Sequence, residues 1–125
     1  MSEMAVLAPI TSGDELDAVL SERPEFAPTI LMIGREGCPK SAKVGKFYED
    51  KYNMIPSVRL QLAQAEDEDS TEARALCDRL HVTRTPVFVL FQDGQRVLDF
   101  VAETPGALFY GIEDCRLLIS AYAEK

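Results

Sequence analysis

The sequence predicts one α/β domain in which helices cover both faces of a central mixed β-sheet. Apolar strand-like segments alternate with amphipathic helical segments along most of the chain, which is typical of this class. The last two strands are joined by a short turn, so at least one strand pair runs antiparallel. With 125 residues, 46% of them hydrophobic, the chain is long enough to bury one core, and we expect a single domain over residues 1–125. The expected order of elements is β-α-β-α-β-α-β-β-α.

The first half of the chain predicts two strands, each followed by a helix. An apolar run at residues 5–8 precedes helix-capping residues at 11–14 and a helical pattern that Pro24 ends. The uninterrupted apolar run at residues 29–33 predicts a strand buried on both faces. The helix that begins at Cys38 has an apolar face formed by Val44, Phe47, Tyr48 and Tyr52.

The second half predicts a strand, a helix, a hairpin and a final helix. Apolar and polar residues alternate over residues 58–62, which indicates a strand with one face covered. The acidic run at residues 66–69 is expected to open the next helix, because carboxylates suit the positive end of the helix dipole. Residues 87–91 and 96–101 form the expected hairpin around Asp93-Gly94. The last helix is expected to bury Ile112, Leu117, Leu118 and Ile119.

Charge and composition exclude several classes of partner. The chain has 13 Lys+Arg against 21 Asp+Glu, a formal net charge of −8. Nucleic acids and anionic membranes are therefore not expected as partners, since binding to them needs basic residues. No apolar run is long enough to span a bilayer, and the N-terminus shows no secretory signal, so a cytoplasmic location is expected.

The segment with chemical potential is Cys38-Pro39-Lys40-Ser41, at the junction of a buried strand and a helix. Unpaired N–H groups and the helix dipole at this position lower the pKa of a thiol. Pro39 suits the first helical turn, Lys40 adds positive charge, and the Ser41 hydroxyl is in reach to donate a hydrogen bond to Cys38. We therefore predict that Cys38 is a reactive thiol; the alternative is a small residue packed at the end of a strand.

Together with Thr85-Pro86, 48 positions further on, this segment resembles the active-site motifs of the thioredoxin-like superfamily. The resemblance covers residues 5–123 and implies a thioredoxin-like fold. It implies that Pro86 is a cis-proline beside the reactive cysteine and that the backbone of Thr85 pairs with a bound peptide or glutathione. The expected catalytic residues are Cys38 and Ser41, and the expected substrate-binding residues are Pro39, Lys40, Thr85 and Pro86.

The chain departs from the dithiol pattern of that superfamily at three positions. Ser41 stands in place of the resolving cysteine, Gly37 in place of the usual Trp, and Met32 in place of a buried Asp. The pattern is similar to that of monothiol C-x-x-S members, in which a lone thiolate forms a mixed disulfide that only an external thiol releases. We expect such a redox protein, acting on protein thiols and disulfides or on glutathione. It needs no bound cofactor, although glutathione is a candidate co-substrate.

Other features favour different interpretations. The missing Trp, second cysteine and buried Asp also suit a redox-inactive module that binds proteins in the same groove. Cys77 and Cys115 fall on apolar helix faces, where free cysteine usually serves packing. His81 is the only histidine, so we expect no metal site. The acidic run is expected to be a solvated helix start, with docking to a basic partner as the alternative.

Overall fold

The computed structural model describes residues 7–22, 27–52 and 55–123, and over these ranges the elements follow the predicted order. The strands are β1 Leu7–Ile10, β2 Pro28–Arg35, β3 Ser57–Leu62, β4 Val87–Gln92 and β5 Gln95–Val101. The helices are α1 Gly13–Glu22, α2 Pro39–Lys51, α3 Thr71–Leu80 and α4 Pro105–Ala123. The predicted helix end at Pro24 and the first two residues of the predicted strand at 5–8 lie outside the described residues.

The five strands form one mixed sheet in the order β1-β3-β2-β4-β5. β1, β3 and β2 are parallel, whereas β4 runs antiparallel to β2 and β5 antiparallel to β4. The predicted hairpin is confirmed: Asp93 and Gly94 both have positive φ angles, of 56° and 74°, as a tight turn between two twisted strands requires. β2 lies in the middle of the sheet, which is why its sequence is apolar on both faces.

A hydrophobic layer covers each face of the sheet. On one face, Leu16 of α1 and Leu76 of α3 pack with strand residues that include Leu31, Leu60 and Val89. On the other face, Tyr48 of α2 and Leu108 of α4 pack with strand residues that include Ile30 and Phe88. The prediction of a mixed sheet with helices on both faces is therefore confirmed. No helix in the described part of the chain is both long enough and apolar enough to cross a bilayer.

The acidic run does not open a helix, so that prediction was wrong. Glu66–Glu68 form a single 3₁₀ turn, and α3 begins only at Thr71. The reason is local: the Ser70 hydroxyl accepts a hydrogen bond from the Ala73 N–H at 3.0 Å and caps the helix there. Asp69 is drawn into an ion pair with Arg35 and is not a solvated residue of the helix start.

The apolar face predicted for α4 is partly wrong. Ile112 is fully buried and Ile119 packs on the core, but Leu117 and Leu118 are exposed, Leu117 by 69%. The buried stripe instead runs through Leu108, Ile112 and Cys115, in steps of four and three residues. Leu117 follows Ile112 by five residues, which places it on the other side of the helix.

Candidate active site

The sheet topology brings the two sequence motifs to one edge. β2 ends just before Cys38 and β4 starts just after Pro86, and the two strands are antiparallel neighbours in which Ile33 pairs with Val87. The Thr85-Pro86 bond is cis, as the resemblance implied. The Pro86 carbonyl accepts a hydrogen bond from the N–H of Ala102 at 3.1 Å, which ties this loop to the end of β5.

A tight turn positions Cys38. The Cys38 N–H donates to the carbonyl of Arg35 at 3.1 Å, and Gly37 between them has a φ of +82°. That conformation strains any residue with a side chain, and a Cβ on Gly37 would lie 3.1 Å from the side chain of Gln64. The turn thus explains why glycine stands here in place of a bulky Trp.

Cys38 is the N-cap residue of α2 and is partly exposed, with Pro39 at the first helical position. Its pKa is lowered, chiefly by the N–H of Ser41 and then by the Ser41 hydroxyl, while the Cys38 side chain forms no capping hydrogen bond. Partial burial opposes this effect, and the N–H and charge of Lys40 contribute least. The helix start therefore stabilises the thiolate mainly through Ser41 and less through Lys40 than the sequence suggested.

The space beneath Ser41 is apolar. The Ser41 side chain is buried, and its Oγ accepts a hydrogen bond from the Arg35 N–H at 3.2 Å. Met32 is fully buried. Its methyl group and the Ser41 side chain both lie next to Gly34, since a Cβ built on Gly34 would be 3.6 Å from Met32 Cε and 3.3 Å from Ser41 Cβ. Where the resemblance places a buried acid, this protein has the packed, uncharged side chain of Met32.

One carboxylate links the two motifs across the site. Glu103, in the loop between β5 and α4, pairs through Oε1 with Lys40 Nζ at 3.4 Å and through Oε2 with Arg84 Nη2 at 2.7 Å. Hydrogen bonds from Arg84 and then from Lys40 lower the pKa of Glu103, so its side chain is charged at neutral pH. Lys40 was expected to act on the thiolate, yet it also belongs to this bridge.

A second ion pair, between Arg35 and Asp69, lies on the other side of the site. Both guanidinium Nη atoms of Arg35 lie 3.2 Å from the carboxylate oxygens of Asp69, and Arg35 also donates to the Ala63 carbonyl at 2.8 Å. The Ala63 N–H in turn donates to Asp69 at 2.9 Å. This cluster joins the ends of β2 and β3 to the segment before α3.

An open cavity of about 570 Å³ lies between that cluster and the cis-proline loop. Of the expected substrate-binding residues only Thr85 lines it, together with Arg35, Asp69, Arg74, Cys77 and Arg84 among others. Cys38, Pro39, Lys40 and Pro86 do not line this cavity.

The other two cysteines differ from Cys38. Cys77 is partly buried and packs against the core layer under α1 and α3, and burial raises the pKa of its thiol. Cys115 is fully buried in the opposite layer, where burial raises its pKa to about 12. Burial at both positions agrees with a packing role and disfavours the thiolate form of each cysteine.

Comparison of the structure with solved structures shows many close matches. The thioredoxin of Malassezia sympodialis superposes with a TM-score of 0.69 at 16% identity, over 91% of this chain and 94% of that one. Plasmodium falciparum thioredoxin gives 0.67 at 21% identity, over 86% and 98%. The fold is thioredoxin-like. Mitochondrial thioredoxin 3 of Saccharomyces cerevisiae gives 0.65 at 20% identity, over 86% and 94%.

Comparison by sequence adds no family assignment: no protein-family model and no curated protein matches the chain. The thioredoxin-like fold places Cys38, Pro39, Lys40 and Ser41 beside Thr85 and Pro86 at one edge of its sheet. Within residues 7–22, 27–52 and 55–123, no cluster of three or more His, Cys, Asp and Glu side chains suits a metal ion.

Sequence reasoning missed Glu103, Arg84 and Asp69 as parts of the site. Glu103 is 63 positions from Lys40, and Asp69 is 34 positions from Arg35. Neither pair falls within a recognisable motif, so only the topology reveals that these charges meet.

Proposed function

We propose that this thioredoxin-like protein is a monothiol redox protein that forms mixed disulfides with protein thiols or glutathione through Cys38. The observation that carries the proposal is the partly exposed Cys38 at the N-cap of α2, where the N–H and hydroxyl of Ser41 lower its pKa. A thiolate is the nucleophilic form of cysteine, and a helix N-terminus favours it.

The reaction requires no group beyond the thiols and disulfides themselves. The Cys38 thiolate attacks one sulfur of a disulfide R–S–S–R′, which forms Cys38–S–S–R and releases R′–S⁻. One S–S bond forms as one breaks, so the electrons balance. A second thiolate, from glutathione or a protein, then attacks the mixed disulfide, takes R as a new disulfide and releases the Cys38 thiolate.

Ser41 makes this external step necessary. A thiol at position 41 would be placed to attack the mixed disulfide from within, but a hydroxyl cannot form a disulfide. The buried side chain of Met32 lies beneath Ser41, so position 32 offers no carboxylate there to accept a proton. We propose that Ser41 serves the thiolate as a hydrogen-bond donor, and that Pro39, Lys40, Thr85 and Pro86 border the bound substrate.

Oxidised glutathione tests the proposal directly. We expect one glutathione adduct per chain, located at Cys38 by peptide mapping after intact-mass measurement and removed by dithiothreitol. Cys38→Ser should abolish the adduct, and Cys77→Ser, the matched control at a partly buried thiol, should retain it. An unmodified Cys38 under these conditions would refute the redox function and leave the groove as a surface for binding only.

The variant Ser41→Cys tests the monothiol part of the proposal. In the wild-type protein the adduct should persist until an external thiol is added. In the variant the introduced thiol should displace glutathione and leave an internal disulfide with Cys38, which the intact mass distinguishes from an adduct. If the wild-type adduct is lost as quickly as that of the variant, the protein does not act as a monothiol.

A further inference from the structure

We infer that Glu103 is a specificity-determining residue: it competes with substrate carboxylates for Lys40 and Arg84, and so limits the preference of the site for disulfides with an acidic group near the reacting sulfur. The inference rests on the proposed reactivity of Cys38. It concerns which disulfides that thiol accepts, and not whether it reacts.

The three residues come from three different parts of the fold. Lys40 lies in the first turn of α2, two positions after Cys38, and Arg84 lies two positions before the cis-proline. Glu103 contacts both, each through a separate oxygen. Its carboxylate therefore already occupies the position between the two cations that a carboxylate of a substrate would take.

The backbone on either side of Glu103 holds it in place. Ala102 is fully buried and donates its N–H to the Pro86 carbonyl, while the Thr104 hydroxyl accepts from the Ala107 N–H at 3.1 Å and caps α4. The side chains of Lys40 and Arg84 are more exposed, at 59% and 63%, than that of Glu103 at 30%. The cations are thus accessible to a ligand, and the anchored acid is the fixed member of the bridge.

Charge arithmetic gives the expected effect. Lys40, Glu103 and Arg84 together carry a charge of +1, and removal of the Glu103 charge raises it to +2. A unit charge about 8 Å away in water changes an interaction by about 0.5 kcal/mol, which is a factor of about 2.3 in rate. Because an anionic substrate gains this factor and a cationic substrate loses it, the ratio of the two rates should rise about fivefold.

The test measures the rate at which Cys38 reacts with two small disulfides of similar length, the anionic 3,3′-dithiodipropionate and the cationic cystamine. We expect Glu103→Gln to raise the anionic-to-cationic rate ratio about fivefold at low salt, and 0.5 M salt to remove most of the increase. The ratio cancels any change in thiolate fraction, since both reactions use the same thiolate. The double variant Lys40→Gln with Glu103→Gln returns the charge to +1 and should bring the ratio back towards the wild-type value.

Glu113→Gln is the matched control. It removes one exposed carboxylate that pairs with Arg116 at 3.3 Å, but on α4 and away from the site. If Glu103→Gln changes the ratio no more than this control does, the inference is overturned and the redox function stands. If Cys38 reacts with neither disulfide, both the inference and the proposed function are overturned.

Discussion

In the proposed function, Cys38 and Ser41 are the residues on which the chemistry depends. A residue at the start of a helix has free N–H groups within reach, and here the N–H of Ser41 is the largest influence that lowers the pKa of Cys38. The Ser41 hydroxyl adds to it and is itself anchored by the Arg35 N–H. In the proposed monothiol function, Ser41 therefore stabilises the thiolate and cannot act as a second redox sulfur.

Ser41→Ala should raise the pKa of Cys38, because it removes the hydroxyl that helps to lower this pKa and leaves the N–H in place. A lowered pKa preserves thiolate at pH values below the ordinary thiol value of about 8.5, so the loss is felt most near neutrality. With one hydrogen bond worth about 1 kcal/mol, we expect iodoacetamide to alkylate Cys38 two- to fivefold more slowly at pH 7.

The alkylation midpoint of Cys38 against pH is the decisive measurement, since the intrinsic nucleophilicity of a thiolate changes with its pKa. The midpoint of the alanine variant should lie above that of the wild type. Ser21→Ala, which removes an exposed hydroxyl of α1, should leave it unchanged. An unchanged midpoint in Ser41→Ala would show that the hydroxyl does not act on the thiol.

At the scale of elements, α4 approaches the sheet through a glycine. The ring of Phe100 lies against Gly111 so closely that a Cβ there would overlap three of its carbon atoms. The same ring stacks on Phe88 with centroids 5.3 Å apart. The helix backbone therefore rests directly on an aromatic pair of the hairpin, a contact that helix propensity alone would disfavour.

Gly111→Ala should destabilise the protein by about 1–2 kcal/mol, because overlap with Phe100 outweighs the gain of about 1 kcal/mol from better helix propensity. Gly106→Ala is the matched control in the first turn of the same helix, where the nearest atom to a Cβ is 3.9 Å away. That variant should be neutral or up to about 1 kcal/mol more stable. Urea unfolding followed by circular dichroism measures both, and equal effects would contradict the role of the close approach.

The elements were predictable from sequence wherever a local pattern decides them. The apolar run of β2 and the turn at Asp93-Gly94 each specify their own conformation, and the structure agrees with both. The start of α3 was predicted wrongly at the acidic run, because the interaction of carboxylates with the helix dipole is weaker than the side-chain cap that Ser70 supplies. The burial of Leu117 was predicted wrongly, because the hydrophobicity of one residue does not reveal which side of α4 faces the sheet.

At the scale of the whole molecule, long-range ion pairs hold the site edge together. Arg35 and Asp69 join β2 to the segment before α3, and the Asp69 side chain is only 7% exposed. Burial opposes its ionisation, but hydrogen bonds from Arg35 and Ala63, with the charges of Arg35 and Arg74, lower the pKa of Asp69 below its ordinary value. Sequence alone could not predict this pair, since no spacing rule relates residues so far apart.

Asp69→Asn should lower the free energy of unfolding by about 1–2 kcal/mol at pH 7, because hydrogen bonds to a charged group are lost. A carboxyl whose folded pKa is below its unfolded value of about 3.9 contributes stability above that value. The contribution is lost as the pH falls from about 5 through the folded pKa, so the two proteins should converge in acid.

Urea unfolding at pH 7 and at successively lower pH tests this, followed by circular dichroism because the sequence has no Trp. Asp50→Asn, which removes one partner of an exposed pair with Lys46, is the control and should change stability by less than about 0.5 kcal/mol. A difference between Asp69→Asn and wild type that stays constant with pH would show that the ion pair is not its source.

The burial of Cys115 has a consequence for how its thiol meets an oxidant. Sulfur is oxidised through its exposed thiolate, and Cys115 is both inaccessible and disfavoured as a thiolate in the folded chain. Oxidation of this sulfur therefore requires the fold to open, and its rate is limited by the fraction of molecules that are open. The packing of α4 against the sheet thus shields the Cys115 thiol from oxidants in the folded protein.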